Sequence, residues 1–113
     1  MTTTRQHKVS RLLQKELGEY LQRQGSKIAG GKMITVTVVR ISPDLGVAKV
    51  YLSIFPGEKG EEAVQAISDR AGLIRREMGN KLRNQLRHIP EFVFFLDDSL
   101  DYFDRIEDLL KDE

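Results

Sequence analysis

The sequence predicts an α+β domain in which a small three-stranded sheet is covered on one face by helices. Three observations lead there. Apolar residues recur at helical spacing in the first 24 residues and again from 61 to 88. Two segments dense in β-branched residues lie between those stretches. A short, wholly apolar run then follows Pro90. The order is helix, strand, strand, helix, helix, strand (αββααβ), then a short C-terminal helix. The strands hold too few apolar residues to fill two layers, so the helices belong on one face.

In the first helix, residues 5 to about 24, Val9, Leu12, Leu13, Leu17, Tyr20 and Leu21 step by three and four. Gly25 is placed to end it, and residues 25–32 (GSKIAGGK) read as a flexible basic loop. Residues 33–41 (MITVTVVRI) and 46–55 (GVAKVYLSIF) are strands joined by Ser42-Pro43-Asp44-Leu45, hence an antiparallel hairpin. The second strand alternates Ala48, Val50, Leu52 and Ile54 with Lys49, Tyr51 and Ser53. Residues 56–60 (PGEKG) break the chain. From 61 to 88 the period is again helical, through Val64, Ile67, Ala71, Ile74 and Met78. Gly72 interrupts it at about 1 kcal/mol relative to alanine, which divides the stretch into helices of roughly 61–71 and 73–88. Phe92-Val93-Phe94-Phe95-Leu96 is a strand apolar on both faces, therefore central or covered, and most strand aromatics (Tyr51, Phe55, Phe92, Phe94, Phe95) are expected in the core. Ser99 caps a last helix whose Leu100, Phe103, Ile106 and Leu110 share a side.

A chain of 113 residues is one domain's length, enough to bury roughly two-thirds of its unfolded surface. With 40% hydrophobic and 31% charged residues it is globular in composition, not disordered or membrane-spanning. No apolar run approaches the ~18 residues that cross a bilayer. The polar start, without an apolar leader, and the absence of cysteine make a cytoplasmic protein without disulfides the expectation. The net charge of +1 conceals a division. Residues 1–32 carry seven Lys/Arg against two Asp/Glu, and residues 68–90 six against two. Residues 91–113 carry two against nine. Such asymmetry points to a basic binding face and an acidic end.

The basic residues are ordered as well as numerous. Lys8, Arg11 and Lys15 fall on one side of the first helix, and Arg76, Asn80, Arg83 and Arg87 form a stripe opposite Ile74, Met78 and Leu82. A solvated helix face is the plain alternative to an anion-binding surface. Catalytic signals are weak: the only histidines are His7 and His88, and no serine lies in a nucleophile elbow. Asp97, Asp98, Asp101, Asp104 and Asp108 lack the glycine and twelfth-position glutamate of a calcium loop and read as a solvated helix face rather than a metal site. Residues 25–33 (GSKIAGGKM) nearly spell a phosphate loop, but they follow a helix and precede a strand, the reverse of the working order. Gly57-Glu58-Lys59-Gly60 copies the G-x-x-G clamp of KH domains but sits between strand and helix instead of between two helices.

At the helix–helix junction stands Asp69-Arg70-Ala71-Gly72. The order αββααβ is that of the type II KH fold, and the sequence resembles the ribosome-binding factor A family of bacterial small-subunit assembly factors. The likeness is carried by residues 5–23, by Thr35-Val36-Thr37-Val38-Val39, and by Ser42-Pro43-Asp44-Leu45 leading to Ala48-Lys49-Val50-Tyr51. Gly72-Leu73-Ile74-Arg75 and Pro90-Glu91-Phe92-Val93-Phe94 continue it. The family's Ala-x-Gly kink reads Arg70-Ala71-Gly72 here, with arginine at the first place, and the loop before the first strand shows Ile28-Ala29-Gly30 where many members have Asp-Pro-Arg.

The resemblance implies a non-enzymatic factor that binds 16S ribosomal RNA of the immature 30S subunit and supports late maturation and rRNA processing. No cofactor and no metal are expected, and a monomer when free. The RNA contacts expected are Arg5, Lys8, Arg11 and Lys15 on the first helix, then Arg70, Arg75, Arg76, Lys81, Arg83 and Arg87. Ala71 and Gly72 form the helix-kink motif, residues 1–97 the KH-like RNA-binding domain, and residues 98–113 an acidic C-terminal helix packed on or extending it. Arginine suits phosphate because its planar fork makes two parallel hydrogen bonds. The alternatives are a protein–protein interaction module that uses the acidic helix, and a metal-dependent nuclease that uses the terminal aspartates.

Overall fold

The computed structural model describes residues 4–97. The expected acidic helix at 98–113, with its Ser99 cap, lies outside the described residues. Helix α1 is Thr4–Ile28, β1 Met33–Ile41, β2 Val47–Phe55, α2 Gly60–Ser68, α3 Ala71–Leu82 and β3 Glu91–Leu96. The strands form one sheet in the order β1-β2-β3, the first pair antiparallel and the second parallel.

Gly25 does not end α1. It is buried within the helix, where a Cβ would stand 2.9 Å from Ile34 Cδ1. Here glycine permits a close approach of helix to strand. The helix ends at Ile28, and beyond it Gly30 and Gly31 take positive φ (67° and 91°) and Gly31 N–H returns to the Ser26 carbonyl at 2.7 Å.

The side chains of β1 change parity partway along. Ile34 and Val36 are buried before Thr37, Val39 and Ile41 after it. A bulge between Val36 and Val38 adds one unpaired residue, so both halves of the strand keep their apolar side chains on the core. Gln14 of α1 donates to the Thr37 carbonyl at 3.1 Å, which satisfies the bulged backbone. The turn Ser42–Gly46 is closed by side chains: Ser42 Oγ donates to Asp44 Oδ1 at 2.7 Å, and that carboxylate also accepts Gly46 N–H at 3.0 Å.

All three helices lie on one sheet face, over Ala48, Val50, Leu52, Ile54, Phe92 and Phe94. Ile74, Met78 and Leu82 are buried as their spacing required. The break between α2 and α3 falls at Asp69–Arg70, two residues before the position suggested by Gly72. Helix α3 also stops earlier, at Leu82 instead of residue 88, where the N–H groups of Gln85 and Leu86 both turn back to the Leu82 carbonyl at 2.8 Å. Arg87 is therefore in a loop, and the expected four-residue stripe loses its last member.

The apolar strand β3 is not central. It is an edge strand, parallel to β2, with Phe92 and Phe94 buried while Val93 and Phe95 face the side without helices. The expectation that most strand aromatics are core residues fails with it. Tyr51 is only half-buried, and Phe55 and Phe95 are 64% and 38% exposed. An αββααβ chain supplies helices for one face alone, so outward apolar residues stay uncovered by the described elements.

Candidate nucleic-acid interface

The early end of α3 creates the site. Residues 83–90 return across the end of the sheet, held because Arg75 Nε and Nη2 both donate to the Ile89 carbonyl, at 3.1 and 3.0 Å. Between this loop, the start of α1 and the β1–β2 turn runs an open groove of about 950 Å³. Arg5 and Lys8 line it from α1, Arg75 from α3, and Arg87 with His88 from the loop. Its floor is apolar, from Val9, Leu12, Leu45, Leu86, Ile89 and Pro90. Among the described residues Asp44 is the groove's one carboxylate. The Ser42 hydroxyl first, then the Gly46 N–H, hold its carboxyl below the usual range, so it stays ionised but bonded to its own turn.

Four permanent cations thus meet one committed anion over an apolar floor. Such a concave, positive surface attracts a polyanion whose backbone can follow it. Arg5, Lys8 and Arg87 are exposed. Arg75 has five N–H donors, of which the Ile89 carbonyl engages two, so the others remain for a ligand.

The remaining expected contacts are placed differently. Arg11 and Lys15 are exposed on α1, and Arg76 and Arg83 on α3 and at its end, but none lines the groove. Arg70 occupies the α2–α3 break. It lies near Tyr20, whose hydroxyl pKa is raised by burial and by the hydrogen bond and charge of Glu77, against a lowering by Arg70. Lys81 is committed elsewhere: its Nζ lies 2.7 Å from Glu16 Oε2 and 3.8 Å from Glu19 Oε2, joining α3 to α1. A cation held by carboxylates of its own chain has less free charge to offer a phosphate. Ala71 and Gly72 stand in the first turn of α3, and a Cβ on Gly72 would meet nothing within 4 Å among the described residues, so no close contact with them requires glycine there.

Sequence reasoning missed the turn residues Pro43–Gly46, Gln85 and His88 as groove walls. The turn was legible only as a hairpin connection, and nothing local in His88 marks its neighbours. Among the described residues no group of three or more His, Asp or Glu could hold a metal ion, and no helix is long and apolar enough to cross a membrane.

The topology and the groove together define a type II KH-like domain with a cationic cleft at one end of its sheet. The chain belongs to the ribosome-binding factor A family, whose profile matches residues 5–110. It is 42% identical over 111 residues to ribosome-binding factor A of Flavobacterium johnsoniae, covering 97% of this chain and 85% of that protein. It is likewise 42% identical over 113 residues to the Brevibacillus brevis protein of that name, covering 99% of this chain and 91% of that one. In fold it is similar to the crystal structure of ribosome-binding factor A from Thermus thermophilus, with a TM-score of 0.68 at 23% identity over 80% of this chain and 94% of that one.

Proposed function

We propose that this protein is a ribosome assembly factor of the small subunit, which binds 16S ribosomal RNA in the immature 30S particle by seating a phosphate backbone in the groove. The observation that carries this reading is the convergence of Arg5, Lys8, Arg75 and Arg87 on one cleft, although they come from elements as much as 82 residues apart in the chain. The fork of Arg75 is pre-oriented by the Ile89 carbonyl, so little side-chain freedom is lost on binding. Contacts to phosphate fix position without reading sequence, and the factor is expected to recognise RNA shape. Arg11, Lys15, Arg76 and Arg83 extend the positive surface beyond the groove. Binding alone supports maturation; no reaction is assigned to the chain, and its place of work is the cytoplasm.

The test is photo-crosslinking of the protein, carrying a reactive group at Gln85 in the groove wall, to purified immature small-subunit particles. Crosslinks to 16S RNA that fade as salt rises are expected. Crosslinks only to ribosomal proteins would move the interface from RNA to protein and defeat the reading.

A further inference from the structure

The helix-free face of the sheet carries a row of apolar side chains with no cover among the described residues. Val38, Tyr51 and Phe95 are successive partners across β1, β2 and β3. Tyr51 and Phe95 stack at 5.3 Å, and Val38 is 38% exposed. Arg40, Lys49 and Val93 form the adjacent row, which sets two cations beside the apolar patch. A strand apolar on both sides, as β3 is, normally has a layer on each.

We propose that residues 98–113 of the same chain form an amphipathic helix that packs on this face. The sequence supplies the matching surface: Leu100, Phe103, Ile106 and Leu110 share one helical side, and the segment carries seven Asp/Glu against two Lys/Arg. Its apolar stripe meets Val38, Tyr51 and Phe95, and its carboxylates meet Arg40 and Lys49. The direction in which the chain leaves the sheet agrees. Asp97 directly follows β3, and its N–H still bonds the Leu52 carbonyl at 2.7 Å. In the strand's alternation its side chain follows Val93 and Phe95 to the open side. There its carboxylate accepts the Thr37 hydroxyl of β1, two strands away. Asp97 thus ties the end of β3 to the bare face immediately before the segment begins. Length also fits: sixteen residues make a helix of about 24 Å, against roughly 30 Å for the nine-residue strand β2 beneath it.

The covering has a consequence for binding. Stacked aromatics flanked by cations are a surface on which unpaired bases settle. An acidic helix laid over them excludes nucleic acid there and leaves the groove as the phosphate-binding surface.

The chain has no cysteine, so a nitroxide label can be placed on the full-length protein at Lys49→Cys on the open face or at Arg83→Cys on the helical side. Amide signals of residues 100–110 should broaden beyond detection with the label at 49 and persist with the label at 83. In the 49-labelled protein, Phe103→Asp with Ile106→Asp should restore them. Signals unaffected by the label at 49 would overturn the proposal. Broadening seen only when labelled and isotope-enriched copies are mixed would assign the face to a second molecule. Shifts at Tyr51 and Phe95 on adding oligouridine, with residues 100–110 insensitive to the label at 49, would give it to unpaired RNA. Either result would also refute the proposal.

Discussion

If the groove holds phosphates, removing one of its cations must change both affinity and salt dependence by amounts fixed in advance. Each phosphate contact releases bound counterions and contributes roughly 0.7 to the log–log salt slope on single-stranded RNA and about 0.9 on a duplex. Four groove cations therefore account for a slope of roughly −2.8 to −3.6. Arg87→Gln should make the slope shallower by about 0.7–0.9, and near 0.1 M salt it should weaken binding roughly five- to eightfold. Lys8→Gln should do the same, and the two together should multiply to roughly 25- to 60-fold if the sites act independently. Both side chains are exposed, so the fold should survive the changes. Fluorescence anisotropy with a structured 16S fragment, titrated at four or more salt concentrations, measures both quantities. The decisive comparison is with Arg76→Gln and Arg83→Gln, which lie outside the groove. Should those two carry the slope while Lys8 and Arg87 leave it untouched, the exposed face of α3, and not the cleft, would be the RNA surface. A loss confined to one RNA sequence would likewise contradict contact with the backbone.

Lys81→Met should destabilise the fold by about 1–2 kcal/mol, more than an exposed ion pair would, because Glu16 Oε2 is buried and, among the described residues, has the Lys81 ammonium as its compensation and no hydrogen bond. Chemical denaturation measures this, and adding Glu16→Gln should recover most of the loss; a change within error for Lys81→Met would mean the pair contributes nothing. Two helical glycines should respond differently. Gly18→Ala, with nothing among the described residues within 4 Å of the new Cβ, should stabilise by about 0.5–1 kcal/mol. Gly25→Ala sets that gain against an overpacking penalty of about 1–3 kcal/mol from the 2.9 Å approach to Ile34. Its net effect, read from melting curves, should be neutral to destabilising, and a clear rise in Tm would refute the close-approach role of Gly25. Finally, the folded-state pKa of Tyr20 is raised, so the native state keeps a proton that the unfolded chain releases near pH ~10. Stability from this source is complete below that pH and declines from there up to the folded-state value. Tyr20→Phe should flatten this alkaline decline in a pH series of unfolding curves, and an unaltered decline would clear Tyr20 of causing it.

The order of elements was legible because it depends on local periodicity. Leu13, Leu17 and Leu21 recur at helical steps, and Ala48, Val50, Leu52 and Ile54 alternate, whatever the rest of the chain does. The basic character of α1 and α3 was legible for the same reason. Gly25 misled because glycine both ends helices and admits close neighbours, and only the position of Ile34 distinguishes the two uses. Arg87 was assigned to a helix because the periodicity continues through residues 83–88, although a double hydrogen bond to the Leu82 carbonyl had already turned the chain.

The sequence by itself determined which residues are apolar at which spacing, hence the αββααβ order, and where charge of each sign accumulates. Tertiary structure alone decided that β3 lies at an edge, that Lys81 is neutralised by Glu16 and Glu19, and that Arg5 meets Arg87 across a cleft. The physical reason is range. Helical and strand periods are fixed by backbone geometry over a few residues. Which charges face one another depends on packing between segments whose separation along the chain carries no signal of their contact.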